Sequence, residues 1–194
     1  RLNRVIRDIP GNYHIAGIEK PNMRQIIHHM MKQNGLKCRC IRCREPKNKQ
    51  IAIDGINNIE IVVRPYESSG GMEYFISMEN READIIYGFC RLRLSENAGK
   101  VRAVKKSKPG GKIIIESKTE VAFPELLNSA LIRELHVYGT MNAVDENHQK
   151  TQHRGIGKAL LKKAEEIAIE NGYKKVAVIS GIGVTEYYKK RGYK

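Results

Sequence analysis

The pattern of apolar and polar positions is clearest between residues 130 and 180, where it predicts a helix between two strands. Apolar runs at residues 130–137 and 175–180 have the composition of buried strands. Between them, apolar residues recur at helical spacing and polar residues fill the opposite side. The apolar side consists of Leu160, Leu161, Ala164, Ile167 and Ala168. Gly172 then supplies the residue that commonly ends a helix.

Weaker patterns predict the rest of the chain. A helix should begin at Pro21 and end near Gly35, and we interpret His28 and His29 on it as surface histidines. Alternation of apolar and polar residues predicts a strand over residues 59–63, and residues 73–78 and 85–94 suit an antiparallel pair. Residues 113–115 predict a short strand. Residues 139–151 predict a polar loop.

The six residues from Gln152 to Gly157 place two glycines directly before the predicted helix. Glycine lets a ligand approach the backbone closely, and the free N–H groups of a first helical turn can bind a phosphate. A tight turn without a ligand is the alternative for so short a motif. A Rossmann dinucleotide site does not fit, because no strand runs straight into these glycines.

The charge of the chain is strongly basic, with 35 Lys and Arg against 21 Asp and Glu, a net charge of +14. Residues 1–50 hold 12 basic and 3 acidic residues, and residues 99–112 hold six basic residues and no acid. We interpret 99–112 as a mobile basic loop. Such clusters suit a nucleic acid, although a solvated basic surface is the alternative. The candidate phosphate contacts are Arg1, Arg4, Arg7, Arg39, Arg42, Lys105, Lys106 and Lys108.

Three of the four cysteines form a tight cluster at Cys38, Cys40 and Cys43. No apolar run long enough for a membrane span and no signal-peptide pattern is present, so we expect a cytoplasmic protein without a membrane partner. In that compartment clustered cysteines favour a metal over disulfides. We predict a structural zinc with Cys90 as fourth ligand. An iron–sulfur cluster, free thiols, and a core-filling role for Cys90 are the alternatives.

Strand, glycine loop, helix and strand together resemble the GNAT N-acetyltransferases. Gln152 to Gly157 fit that family's signature for the pyrophosphate of acetyl-CoA, and Tyr188 to Tyr193 resemble its Tyr-x-x-x-Gly-aromatic ending. The resemblance implies an α/β fold with a mixed, mostly antiparallel sheet flanked by helices. It also implies that Tyr188, with Tyr187 beside it, is the catalytic acid that meets the CoA thiolate. The implied acetyl-CoA contacts are Glu134, Leu135, His136, Val137, Gln152, Arg154, Gly155, Ile156, Gly157, Lys158 and Tyr188.

Longer stretches, residues 130–139, 178–183 and 87–93, resemble the catalytic subunit of the Elongator complex, a radical-SAM enzyme joined to an acetyltransferase-like domain. This resemblance implies tRNA as a partner, modification at carbon five of the wobble uridine, and contact with other Elongator-type subunits. It implies that residues 1–50 are the tail of a preceding radical-SAM domain plus a zinc-binding linker, and residues 51–194 the acetyltransferase domain.

The iron–sulfur cluster and S-adenosylmethionine of that family would belong to a domain that this sequence lacks, so we expect a fragment of a longer enzyme. Two other functions remain open. One is a non-catalytic tRNA-binding module with a vestigial acetyltransferase fold, which would not need the glycine loop. The other is a protein lysine N-acetyltransferase, which the basic charge disfavours because basic protein tails would be repelled.

Overall fold

The computed structural model describes residues 16–17, 22–46, 58–107, 114–138 and 155–194. The predicted loop 139–151 therefore lies outside the described residues. The described chain contains three α-helices, α1 (Met23–Gln33), α2 (Ile156–Glu170) and α3 (Thr185–Lys189). Its strands are β1 (Glu60–Ser68), β2 (Gly71–Asn80), β3 (Ile85–Leu94), β4 (Lys100–Ser107), β5 (Ile114–Val121), β6 (Ser129–Val137) and β7 (Lys175–Val178).

Five strands form one mixed sheet in the order β1-β2-β3-β6-β7. All neighbours are antiparallel except β6 and β7, which run parallel and are joined through α2. A parallel pair needs such a crossover, and a helix is the usual one. The predicted strand–helix–strand unit, the β2–β3 pair and the mostly antiparallel sheet are thereby confirmed.

Helix α2 packs on one face of the sheet and closes the main core. Its apolar side is buried as predicted, with Leu160 and Ala164 fully enclosed against Ile76, Leu92 and Ile132 of the strands. Gly172 follows the helix with a φ of 82°, a left-handed conformation that glycine adopts without strain. Burial of this apolar side, rather than helix propensity, holds α2 in place.

The opposite face of the sheet combines aromatic packing with buried ion pairs. Phe75 and Phe89 stack with ring centroids 5.3 Å apart. On the same strand as Phe75, the buried carboxylate of Glu79 accepts hydrogen bonds from Arg64. Glu73 is also buried and pairs with Arg93 and Arg133. Buried carboxylates need such partners because removal from water is costly for an unpaired charge.

The prediction of a mobile loop over residues 99–112 is wrong for the described residues, because β4 covers Lys100–Ser107 and pairs in antiparallel register with β5. Residues 108–112 lie outside the described residues. The strand predicted at 113–115 is described from Ile114 and extends to Val121. This hairpin forms a separate two-stranded sheet. Its described side chains are exposed on both faces, so the sequence need not show the apolar–polar alternation of a half-buried strand.

The chain divides into two compact units, Arg1–Arg44 and Glu45–Lys194. The described part of the first unit consists mainly of α1 and a short 3-10 turn at Ile41–Cys43. Helix α1 lies between Pro21 and Gly35, as the sequence predicted. None of the helices in the described part is long and apolar enough to cross a membrane.

Candidate active site and metal cluster

The parallel strands β6 and β7 separate partway along β6. Their pairing runs from Ser129 and Lys175 to Ile132 and Val178, and the amide of Ile179 adds one last hydrogen bond to the Ile132 carbonyl. Beyond that point β6 continues to Val137 with β3 alone beside it among the described strands. One edge of residues 134–137 is therefore left without a strand partner in the described structure.

A β-bulge marks the point of separation. Along β3, Arg91 faces Glu134 and the next residue, Leu92, faces Ile132, so Arg133 is the extra residue of β6. A bulge bends its strand and increases its twist, and such irregularities are common beside active sites. The Arg133 guanidinium is held by the buried Glu73 carboxylate, with Nη1 and Oε1 2.5 Å apart. This ion pair between Arg133 and Glu73 holds the bulge on the face of the sheet opposite α2.

The first turn of α2 carries backbone N–H groups without an intrahelical acceptor, since the first helical bond runs from the Ala159 amide to the Gly155 carbonyl. Among the described residues no side chain caps this end, where the N-cap residue is Gly155, and the first turn contains no acidic residue. Ile156 and Gly157 are buried here, whereas Lys158 is exposed. The partial positive charge of the helix start and the positive charge of Lys158 are therefore in the same turn. Gln152 and Arg154 lie outside the described residues.

Glycines bring the strand, the helix start and α3 into contact. A Cβ on Gly157 would collide with the Tyr187 hydroxyl and would lie 3.6 Å from Val137 Cγ2. A Cβ on Gly88 of β3 would lie 2.9 Å from the His136 carbonyl oxygen and 3.0 Å from Ile156 Cγ2. Val137 of the predicted strand, Gly157 of the glycine motif and Tyr187 of the tyrosine pair therefore meet at one place. Gly88 is a site residue that sequence reasoning did not single out.

The two adjacent tyrosines have different environments. Tyr188 is 8% exposed, belongs to the main core, and packs edge-on against Tyr187 and Tyr193. Burial, and then the neighbouring Tyr187, raises the pKa of the Tyr188 phenol. Tyr187 instead directs its hydroxyl to Gly157, and the Arg191 guanidinium lies 3.4 Å from its ring centroid. Because its pKa is raised above that of an ordinary phenol, Tyr188 stays protonated at neutral pH.

The polar residues of β6 have partners on the face of the sheet opposite α2. The Glu134 carboxylate lies 3.5 Å from the Arg91 guanidinium, and the His136 ring packs against Phe89 and Tyr138. Leu135 and Val137 contact the main core instead. The side chains of the four predicted acetyl-CoA contacts on β6, residues 134–137, thus alternate between the two faces of the sheet. The four residues have only the backbone edge of β6 in common.

The first unit gathers sulfur and imidazole ligands in one place. Ligand atoms of His28, Cys38 and Cys43 all lie within 4.8 Å of one another, with His28 Nε2 3.6 Å from Cys43 Sγ. Tetrahedral zinc with bonds of about 2.3 Å to sulfur needs ligand atoms about 3.8 Å apart, so this group fits a zinc ion. His28, interpreted from sequence as a surface residue, is thereby a candidate ligand. The sequence signal that could have identified His28 as a ligand is the Cys-rich segment directly after its helix.

The remaining cysteines are placed differently. Arg24 Nη2 lies 3.3 Å from both Cys40 Sγ and Cys43 Sγ. Burial opposes ionisation of Cys40, but hydrogen bonds from Arg24, from the Cys43 backbone and from the Cys38 and Cys43 side chains together outweigh it and lower the pKa of this thiol to about 6. Cys90 lies in the core of the second unit with no exposed surface, and burial raises its pKa to about 12. That environment matches the core-filling alternative.

The predicted nucleic-acid contacts are only partly described. Arg39 and Arg42 are exposed on the first unit. Lys105 and Lys106 are in β4, paired with Glu116 and Ile115. Arg1, Arg4, Arg7 and Lys108 lie outside the described residues.

A mixed sheet whose parallel strands part in front of a glycine-started helix has the arrangement of an acetyltransferase-type fold. The chain belongs to the acetyltransferase (GNAT) family, which matches residues 66–193. The fold predicted from sequence is confirmed by this match and by a solved structure. That structure, described as the archaeal Methanocaldococcus infernus Elp3 with an N-terminal deletion, is 35% identical, with a TM-score of 0.62. The match covers 97% of this chain and 40% of that one.

Curated relatives agree with the more specific resemblance. A tRNA uridine(34) acetyltransferase of Methanocaldococcus infernus is 39% identical over 200 residues, covering 100% of this chain and 33% of the relative. The Elongator complex protein 3 of Schizosaccharomyces pombe is 37% identical over 198 residues, covering 100% of this chain and 32% of the relative. The resemblance to the Elongator catalytic subunit is thus confirmed. The chain spans about one third of the length of these relatives.

Proposed function

We propose that this chain is the acetyl-CoA-binding acetyltransferase domain of an Elongator-type enzyme that modifies carbon five of the wobble uridine of tRNA. One observation carries the proposal: the edge of β6 that pairs with no described strand ends where the start of α2, uncapped by any described side chain, and the Tyr187 hydroxyl meet. The backbone edge of β6 can pair with amide groups, and the first turn of α2 can bind phosphates. A ligand that contains both amides and phosphates suits this arrangement. The names of the relatives supply the tRNA substrate.

In this proposal the backbone of β6 and α2 does most of the binding. The edge of Leu135 to Val137 pairs with the pantetheine amides as an added strand would. The first-turn N–H groups of α2 bind the pyrophosphate, helped by the charges of Lys158 and Arg154. Gln152 and Gly155 complete the loop. Bound acetyl-CoA supplies an activated acetyl thioester.

The tyrosines have separate roles. Tyr188, whose raised pKa keeps its hydroxyl protonated, donates a proton to the departing thiolate. Tyr187 shapes the site by lying against Gly157. Tyr188→Phe should then lower acetyl-CoA turnover while leaving acetyl-CoA affinity nearly unchanged. Tyr187→Phe should change affinity more than turnover per bound complex.

The cysteine cluster holds a structural zinc ion in this proposal, with Cys38, Cys43 and His28 as ligands and Cys40 as the fourth. The donor chemistry fits, because thiolate and imidazole are the usual ligands of structural zinc. Zinc would tie α1 to the segment after it. The radical-SAM chemistry, with its iron–sulfur cluster and S-adenosylmethionine, would belong to the part of such enzymes that this chain does not match. Contacts to other Elongator-type subunits remain part of the proposal.

Isothermal titration with acetyl-CoA and with tRNA, carried out separately, tests the function. We expect saturable binding of both, with one acetyl-CoA per chain. Binding of tRNA without acetyl-CoA would favour the non-catalytic RNA-binding module. Binding of acetyl-CoA without tRNA would remove the RNA substrate and leave an acetyltransferase that acts on something else.

A further inference from the structure

The hairpin of β4 and β5, which we call the arm, stands apart from the five-stranded sheet. Its described side chains, 100–104 and 117–121, are exposed on both faces. Its base is fixed by Gly99, whose carbonyl accepts hydrogen bonds from the amides of Ala122 and Phe123 at 2.9 and 3.0 Å. Gly99 has a φ of 77°, and a Cβ there would collide with the Phe123 carbonyl oxygen. The arm therefore leaves the domain in a defined direction.

The register of the arm separates its charges. Residues directly opposite each other in an antiparallel pair share a face. The described part of one face, here called the basic face, consists of Lys100, Arg102, Val104, Ser117, Thr119 and Val121. The described part of the other, the mixed face, consists of Val101, Ala103, Lys118 and Glu120.

Among the described residues, no ion pair neutralises the positive charges of the basic face, and the Lys100 ammonium donates to the Glu96 carbonyl oxygen at 3.1 Å. Arg102 lies opposite Thr119, and its Nη2 donates to Ser117 Oγ at 3.0 Å, so its guanidinium is oriented but not neutralised. On the mixed face the Lys118 ammonium lies 3.8 Å from a Glu120 carboxylate oxygen. The two faces of one hairpin thus differ in their electrostatic character.

We propose that the basic face of the arm binds the sugar–phosphate backbone of RNA and that the mixed face takes no part. This inference rests on the proposed function, in which the chain binds tRNA. A guanidinium matches the geometry of a phosphate, and hydroxyls such as those of Ser117 and Thr119 can bond phosphate or ribose oxygens. The basic face, within a chain of net charge +14, favours an anionic partner, and under the proposed function that partner is tRNA.

A matched pair of substitutions tests the choice of face. Thr119→Glu places a carboxylate opposite Arg102 on the basic face, and Ala103→Glu places one opposite Lys118 on the mixed face. Both change the net charge of the chain by the same amount, and both positions are exposed. General electrostatic attraction is therefore weakened equally, so any difference between them reports the face. Arg102→Ala is a further variant that removes the guanidinium without adding an acid.

The measurement is tRNA affinity at several salt concentrations, by fluorescence anisotropy with the 194-residue chain. Thr119→Glu and Arg102→Ala should weaken binding by at least about fivefold and flatten the salt slope by about one contact, whereas Ala103→Glu should stay within about twofold of the unsubstituted chain. Equal effects of the two glutamates, or none from either, overturn the inference while tRNA binding itself stands. Failure of the unsubstituted chain to bind tRNA overturns the inference and the proposed RNA substrate together.

Discussion

The hydroxyl of Tyr187 occupies the space into which a side chain on Gly157 would have to grow. Gly157→Ala should therefore overpack the junction of α2 and α3 and cost about 1–3 kcal/mol in the free energy of unfolding. In a Tyr187→Phe background the colliding atom is gone, and the next ring atom lies at an ordinary 3.6 Å from the new methyl group. The cost of Gly157→Ala in the Tyr187→Phe background should be well under half of its cost when Tyr187 is present. A double-mutant cycle by denaturant unfolding measures it, and an unchanged alanine cost in the phenylalanine background would exclude the contact.

The zinc proposal predicts the metal content of variants. Protein purified without chelator should contain about one zinc per chain, because binding is coupled to folding of the segment. Cys43→Ser and His28→Ala should lower the content below about half an equivalent. Cys90→Ala should retain the zinc and instead lower the melting temperature, since it leaves a cavity in the core. Loss of zinc from Cys90→Ala, with His28→Ala still loaded, would restore Cys90 as the fourth ligand.

The buried Glu73 should matter far more to stability than the exposed Glu134. Glu73 is 1% exposed and pairs with both Arg93 and Arg133, so Glu73→Gln leaves two guanidinium groups facing a neutral amide. The expected cost is about 3 kcal/mol in the free energy of unfolding. Glu134→Gln breaks a pair of 3.5 Å between partly exposed groups and should cost less than about 1 kcal/mol. Chemical denaturation of both variants gives the comparison, and equal costs would contradict the assigned role of Glu73 at the bulge.

The strand–helix–strand unit was predictable from sequence because its signals are local. Helical spacing on α2 and unbroken apolar runs in β6 and β7 each fix one element, and short connections limit how such elements pack. The position of the tyrosine pair followed from a family motif. These parts of the fold and site come directly from neighbouring residues.

The remaining features depend on contacts between distant residues. His28 is a candidate ligand only because the turn at Ile41–Cys43 brings Cys43 back beside α1. The arm was missed because both its faces are exposed, which removes the apolar alternation that identifies a strand. The bulge at Arg133 depends on the register between β3 and β6, and a run of apolar residues does not specify register by one residue.

Binding of acetyl-CoA at the junction of β6 and α2 is tested most directly by isothermal titration of a matched pair. Gly157→Glu puts a bulky side chain and a negative charge at the uncapped start of α2, where the pyrophosphate should lie. Ile169→Glu adds the same charge to the exposed far end of the same helix. We expect Gly157→Glu to abolish measurable acetyl-CoA binding and Ile169→Glu to bind as the unsubstituted chain does, with both variants folded by circular dichroism. Acetyl-CoA affinity unchanged in a folded Gly157→Glu variant would contradict the proposed site.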